Sequence, residues 1–295
     1  MPNRTDPDVP GRGQRQGVPA PLGDLPWELP HRFLGLDDDA AAFETAGAVV
    51  LPVPYEATTS WGGGTRNGPR AILEASRYLE LYDQELDADP SVVGVHTLPA
   101  LELTRAGPEA AMVELAGAYA RVLEVAGDRF VIMLGGEHSI TAPAVLAHAD
   151  RDPDERLTVL QLDAHADLRP TYEGTPASHA SAMARVIDRV DLVTVGVRAA
   201  STEEVEVARR RAAGGSGEGR GVTLVWADEM WADDAWMERA LEALGPRVYL
   251  TFDVDYLDPS LMPSTGTPEP GGGDWYRTLR FLRRVFRERE VVGAD

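Results

Sequence analysis

The sequence predicts one α/β domain of three layers, with a mainly parallel sheet between two layers of helices. Three observations carry this reading. Segments with strand character alternate with segments with helix character at least six times along the 295 residues. The first of them, Ala48–Val53 (AVVLPV), is short, apolar and bounded by proline, as a buried strand is. No internal repeat and no domain boundary interrupts the pattern, so alternation of this kind implies parallel strands joined by crossover helices.

Residues 1 to about 25, rich in Pro, Gly and Arg, read as a flexible arm. Trp27, Phe33, Leu34 and Leu36 then mark a segment that docks on the domain, so residues 1–40 form an arm and docking segment and 41–295 the domain. After the strand at 48–53, Asn67–Tyr78 reads as a helix with Pro69 near its first turn. Pro108–Val125 is a long, Ala-rich amphipathic helix, Phe130–Leu134 a strand, Thr141–Ala149 a helix and Thr158–Leu162 a strand. His179–Arg189 reads as a helix, Leu192–Val195 as a strand and Thr202–Ala213 as a helix. The Gly-rich stretch Gly214–Gly221 is a loop. Val222–Trp226, Val248–Phe252 and Glu290–Gly293 read as strands, with helices at Asp234–Leu244 and Trp275–Glu288 between them.

Composition narrows the chemistry. The chain has no cysteine, which excludes disulfides, thiolate nucleophiles and iron–sulfur clusters. All 28 basic residues are arginine, which excludes a Schiff-base lysine and the lysine of a phosphate-binding loop. The net charge of −20 repels nucleic acid and anionic membranes and favours small cationic partners. No apolar run approaches the roughly 18 residues that cross a bilayer. The start of the chain shows no secretory signal, so a cytoplasmic location is expected.

In open parallel sheets, ligands bind just past the carboxyl ends of strands. After Phe130–Leu134 comes Gly135-Gly136-Glu137-His138-Ser139, after Thr158–Leu162 comes Asp163-Ala164-His165-Ala166-Asp167, and after Val248–Phe252 comes Asp253-Val254-Asp255. In extended chain, residues two apart point the same way. His138, Asp163, His165, Asp167, Asp253 and Asp255 therefore aim at a common point. A lone Asp-x-Asp or Gly-Gly is usually only a turn, but three such motifs at three strand ends predict a metal centre. Four clustered carboxylates need cations among them. Six oxygen-rich ligands suit two hard divalent ions about 3.5 Å apart better than one zinc, and Mn²⁺ is the favoured ion. Gly62-Gly63-Gly64 lacks the order of a phosphate loop and reads as a rim loop, and Pro263–Gly271 as a pocket wall. His31, His96 and His148 carry no motif and are expected to be structural or exposed.

Together the three motifs, the last extended as Phe-Asp-Val-Asp-Tyr-Leu-Asp-Pro, resemble the ureohydrolase (arginase/agmatinase) family over residues 46–295. Leu51–Glu56, Gly68–Leu73, Glu80–Asp83 and Gly266–Gly272 are similar to its bacterial agmatinase branch. The resemblance implies an arginase-like sheet of about eight strands and two Mn²⁺ ions per chain. One would take His138, Asp163, Asp167 and Asp253, and the other His165, Asp163, Asp253 and Asp255, with Asp163 and Asp253 bridging. It implies hydrolysis of a guanidino C–N bond, with agmatine giving putrescine and urea as the first expectation. Guanidinobutyrate, arginine or a non-catalytic metal-binding role are the alternatives. Asp167 would move the proton of the attacking water, and His179, fourteen residues beyond His165, would protonate the leaving amine. The family's guanidinium-gripping glutamate lies three positions beyond the counterpart of Asp295, outside this sequence, so the chain is expected to lack the family's C-terminal end. A homo-oligomer, trimer or hexamer, is also implied.

Overall fold

The structure, a computed structural model, describes residues 31–214 and 220–295. The arm expected over residues 1–25, Trp27 and the centre of the 214–221 loop lie outside them. Among the described residues, eight strands form a single sheet: β1 (Ala48–Val53), β2 (Val95–Thr97), β3 (Phe130–Gly135), β4 (Leu157–Leu162), β5 (Asp191–Val197), β6 (Val222–Trp226), β7 (Arg247–Phe252) and β8 (Glu290–Ala294). Their order across the sheet is β2-β1-β3-β8-β7-β4-β5-β6, and all seven pairings are parallel. The three-layer parallel architecture read from the sequence is the one observed.

Parallel strands covered on both faces have no polar side to show. All six residues of β4 are buried. Alternate positions feed different layers, because strand side chains reverse face at each residue. Leu157 and Val159 join the cluster of Leu115 and Tyr119 on α2 (Pro108–Ala126) and Val145 on α3 (Thr141–Arg151). Leu160 and Leu162 join Trp236 on α6 (Ala235–Ala243) and Phe281 on α7 (Trp275–Glu288). Each such leucine contributes about 1.5–3 kcal/mol of burial. A third cluster joins Leu36, Val50, Val95 and Leu73 of α1 (Gly68–Ser76). Here the Phe33 amide donates to Thr97 Oγ1 at 3.0 Å and the Leu34 amide to Ser76 Oγ at 2.9 Å, so residues 33–36 dock across α1 and β2.

Three local features differ from the sequence reading. The segment 179–189 is not an α-helix. It makes one 3₁₀ turn, His179–Ser181, and then a run of turns. The amides of Met183 and Ala184 both donate to the Asp167 carbonyl, at 3.1 and 3.0 Å, and so leave the helical ladder. Asp167 has the left-handed φ of 50°. The sequence reading also misses β2, only three residues long, and α5 (Ala227–Ala232), a short helix after β6 that precedes α6 and follows α4 (Thr202–Gly214).

The topology places the chemistry. β3, β8, β7 and β4 occupy four consecutive positions in the middle of the sheet. The three motifs follow β3, β4 and β7, so all three emerge at one edge within those four positions.

Candidate metal centre

β4 and β7 end in register, with Leu162 opposite Phe252, so Asp163 and Asp253 leave the sheet side by side. The Asp253 amide donates to the Leu162 carbonyl at 2.9 Å and continues the pairing one step past the strands. Gly136 lets the β3 exit run close to the β1 exit: a Cβ there would lie 1.9 Å from the Tyr55 carbonyl oxygen. His138 follows in a 3₁₀ turn.

Two donor groups result. His138, Asp163 and Asp253 form one, and Asp163, His165 and Asp255 the other, each with its ligand atoms within 4.8 Å of one another. His138 Nδ1 lies 2.8 Å from Asp167 Oδ2, 3.1 Å from Asp163 Oδ2 and 3.5 Å from Asp253 Oδ2. His165 Nδ1 lies 3.1 Å from Asp255 Oδ2 and 3.4 Å from Asp163 Oδ1. Asp163 thus turns one oxygen to each imidazole. Asp253 belongs to the first group only; its Oδ1 accepts from the Asp255 amide at 3.1 Å. All six residues expected from the sequence are brought together.

The surroundings orient them. The Gln161 amide donates to Asp163 Oδ2 at 2.7 Å, and the His165 amide to Asp163 Oδ1 at 2.6 Å. Asp255 accepts from the Ala164 amide and, at 3.2 Å, from the Thr267 hydroxyl of the 263–271 loop. The His138 Nε2–H donates to Thr251 Oγ1 at 2.9 Å, and the Thr251 hydroxyl passes its own proton to Asp295 Oδ1 at 2.7 Å. Thr141 and Tyr249 also donate to Asp295, at 2.8 Å each. This fixes the tautomer of His138 and leaves the lone pair of Nδ1 facing the carboxylates.

The donor set fits hard divalent cations. Buried His138 Nδ1 has no hydrogen-bond partner although three carboxylates surround it. Burial, then the charge of Asp163, pushes the Asp167 carboxyl up to about 6. Burial, then Asp255 and Asp163, pushes Asp253 well above the carboxylate range, and burial and Asp163 raise Asp255. Burial would raise Asp163 too, but the adjoining imidazoles of His138 and His165 outweigh it and lower its pKa. Four carboxylates cannot all ionise here unless positive charge joins them. Oxygen donors with two imidazoles suit Mn²⁺-like ions, and Asp163 can serve two of them.

His179 stands apart from both groups. Its Nδ1 is 3.2 Å from Thr58 Oγ1, its Nε2 3.2 Å from Ser60 Oγ, and Tyr172 stacks edge-on with centroids 5.5 Å apart. Burial lowers its pKa. Of the other histidines, His96 Nδ1 bonds the Ala41 carbonyl at 2.8 Å and His148 packs between Tyr119 and Tyr249, so both are structural. Sequence reasoning did not assign Thr58, Ser60, Gln161, Thr251 or Asp295, whose only signal is their place in three dimensions. Glu137 lay in plain view within the Gly-Gly-Glu-His-Ser motif.

The sequence profile of the arginase family matches residues 46–295 of the chain. The chain belongs to the arginase family. The N(1)-aminopropylagmatine ureohydrolase of Thermus thermophilus is 41% identical over 259 residues, 86% of this chain and 83% of that protein. The agmatinase of Bacillus cereus is 32% identical over 259 residues, again 86% and 83%. The crystal structure of agmatine ureohydrolase from Thermoplasma volcanium superposes with a TM-score of 0.74 at 28% identity, covering 87% of this chain and 83% of that one. As a member of the arginase family with these relatives, the chain is a hydrolase of the agmatinase type.

Proposed function

We propose that the protein is a binuclear manganese hydrolase that cleaves the guanidino C–N bond of a guanidino amine to urea and a primary amine. The observation that carries this is Asp163, one carboxylate shared by two donor groups. His138, Asp163, Asp167 and Asp253 would hold one ion, and His165, Asp163, Asp253 and Asp255 the other. When bound, the two ions would acidify a water to hydroxide near neutral pH and offset the carboxylate charge.

The chain's own residues do the rest. A guanidinium is a resonance-stabilised cation, and the carboxylate-rich edge attracts it. Asp167 accepts the proton of the attacking water as the C–O bond forms. Its carboxylate, 2.8 Å from His138 Nδ1, lies at the centre of the cluster, where it can take up a proton and give it back. The C–N bond to the alkyl nitrogen then breaks. His179, whose lowered pKa makes it a ready proton donor once charged, delivers the proton that turns the leaving nitrogen into an amine.

Similarity favours a longer substrate than agmatine. The relative named aminopropylagmatine ureohydrolase is 41% identical, against 32% for the agmatinase, over equal lengths. We therefore place N(1)-aminopropylagmatine first and agmatine second, in a homo-oligomeric enzyme. The test compares urea release by manganese-loaded protein from N(1)-aminopropylagmatine, agmatine, guanidinobutyrate and arginine. The expected order of kcat/KM puts aminopropylagmatine first. Arginine turned over as well as either amine would overturn the substrate assignment. Bound manganese with no urea from any of the four would favour the non-catalytic alternative.

A further inference from the structure

Glu137 of the Gly-Gly-Glu-His-Ser motif has no part in the chemistry above, and its carboxylate is buried. Oε2 accepts from the amides of Ala57 and Thr58, at 2.6 and 2.7 Å. Oε1 accepts from the hydroxyls of Thr58 and Ser139, both at 2.7 Å. Glu137 therefore holds the segment after β1 against the exit of β3 and fixes the direction of the Thr58 hydroxyl.

That direction has a chemical consequence. A hydroxyl has one hydrogen and two acceptor positions. Thr58 gives its hydrogen to Glu137. One acceptor position receives the backbone N–H of His179 at 3.1 Å. The other faces His179 Nδ1 at 3.2 Å and can only accept. Ser178 Oγ, at 3.4 Å from the same nitrogen, is the longer contact. At the shorter of these contacts Nδ1 is the donor. Ser60 gives its own hydrogen to the Tyr172 hydroxyl at 3.2 Å and so accepts from Nε2, 3.2 Å away, when the ring is charged, which makes Nε2 the nitrogen that gains and loses a proton while Nδ1 keeps its own.

We propose that Glu137 and Thr58 form a relay that locks His179 in its Nδ1–H tautomer and so makes Nε2 its proton-exchanging atom. Both are positioning residues, since they act through the ring of His179. The catalytic part of this inference rests on the reading of His179 as the proton donor, while the tautomer itself does not. Glu137 does for His179 what Asp295 does for His138: a buried carboxylate orients a threonine hydroxyl, which orients an imidazole. The two relays select opposite tautomers, Nδ1–H for His179 and Nε2–H for His138, as their different tasks require.

The test uses histidine-labelled protein loaded with a diamagnetic divalent ion, with the ring nitrogens observed by NMR. When its ring is neutral, wild-type His179 is expected to show a protonated Nδ1 and a bare Nε2. Thr58→Val removes the acceptor, and the ring should shift toward the other tautomer or a mixture; Thr58→Ser should restore the wild-type pattern. In the manganese-loaded enzyme, kcat for urea release should fall at least 10-fold in Thr58→Val with KM little changed, since correctly placed acid–base groups are typically worth about 10²–10⁴-fold. Glu137→Gln, whose amide can point a hydrogen at Thr58, should shift the tautomer the same way. A neutral wild-type ring protonated on Nε2, or a Thr58→Val protein with the wild-type tautomer, would overturn the relay. His179→Asn with undiminished urea release would instead remove His179 from the mechanism and leave the tautomer result to stand alone.

Discussion

At the scale of single residues, the site depends on which atom each group presents. Asp163→Asn replaces one oxygen of a carboxylate that faces both imidazoles and should weaken both donor groups at once. Elemental analysis should find both ions depleted, with urea release down by about 10²-fold or more. His96→Asn, which alters a ring bonded to the Ala41 carbonyl and packed on Phe43, should leave metal content and turnover within a few-fold of wild type. Similar losses from both would show that the ligands are misassigned. Thr251→Val frees His138 from the tautomer that turns its Nδ1 lone pair toward the carboxylates. Partners of metal ligands are typically worth about 10–100-fold in affinity, and manganese titration by calorimetry should show a loss of that order in one of the two ions.

At the scale of elements, strand exits decide where the donors point. The β3 exit passes so close to the β1 exit that Gly136 has no room for a Cβ. Gly136→Ala must push the two segments apart, and with them Glu137, whose amide donates to the Tyr55 carbonyl at 2.9 Å, and His138. The expected cost is about 1–3 kcal/mol or more, read from urea unfolding, together with weaker manganese binding. Phe281→Ala in α7, a fully buried ring 4.9 Å from Trp236, should cost about 3–5 kcal/mol yet leave metal affinity in the remaining folded protein unchanged. If both variants affected binding alike, proximity of the strand exits would not be what places His138. The outer face of α7 adds little: Arg280 and Arg284 pair with Asp234 and Glu238 of the α6 region in exposed positions, where ion pairs contribute about 0–1 kcal/mol each.

At the scale of the whole molecule, the metal centre couples to pH through the stability of the fold. Without ions, Asp167 is pushed up to about 6 and Asp253 and Asp255 upward, while His165, against the pull of burial, is raised to about 11 by Asp163 and Asp255. Each of these groups binds its proton more tightly folded than unfolded. Stability of the metal-free protein from this cluster is therefore fully present at low pH and is lost as pH rises through the folded pKa values. Asp163, with its lowered pKa, has the opposite sign, but acts only as pH falls below the ordinary carboxylate range. His148, pushed down to about 4 by burial and then by Arg247 and Arg151, titrates alike with and without metal and cancels in the comparison. Bound ions require the deprotonated ligands and reverse the trend. The rise in melting temperature caused by manganese over a chelator should thus be larger near about pH 8 than near about pH 5. An equal rise at both values would mean that these carboxylates do not hold the metal.

Within one strand or motif, the sequence was enough. The alternation of short apolar strands and amphipathic helices determined the parallel three-layer fold, because a strand buried on both faces has no polar side to display. The Asp-x-His-x-Asp and Asp-x-Asp spacings determined which side chains share a direction, because extended chain repeats every second residue. The three-residue β2 and the turns at 179–189 were not legible, since neither follows from local propensity. β2 lies at the edge of the sheet among the described residues, paired to β1, and two amides of the 179–189 segment answer to the Asp167 carbonyl. Only the tertiary structure decided how each imidazole is held. The partners of His138 and His179 come from 113 and 121 residues away. A hydroxyl's single hydrogen can be assigned only once every group around it is in place.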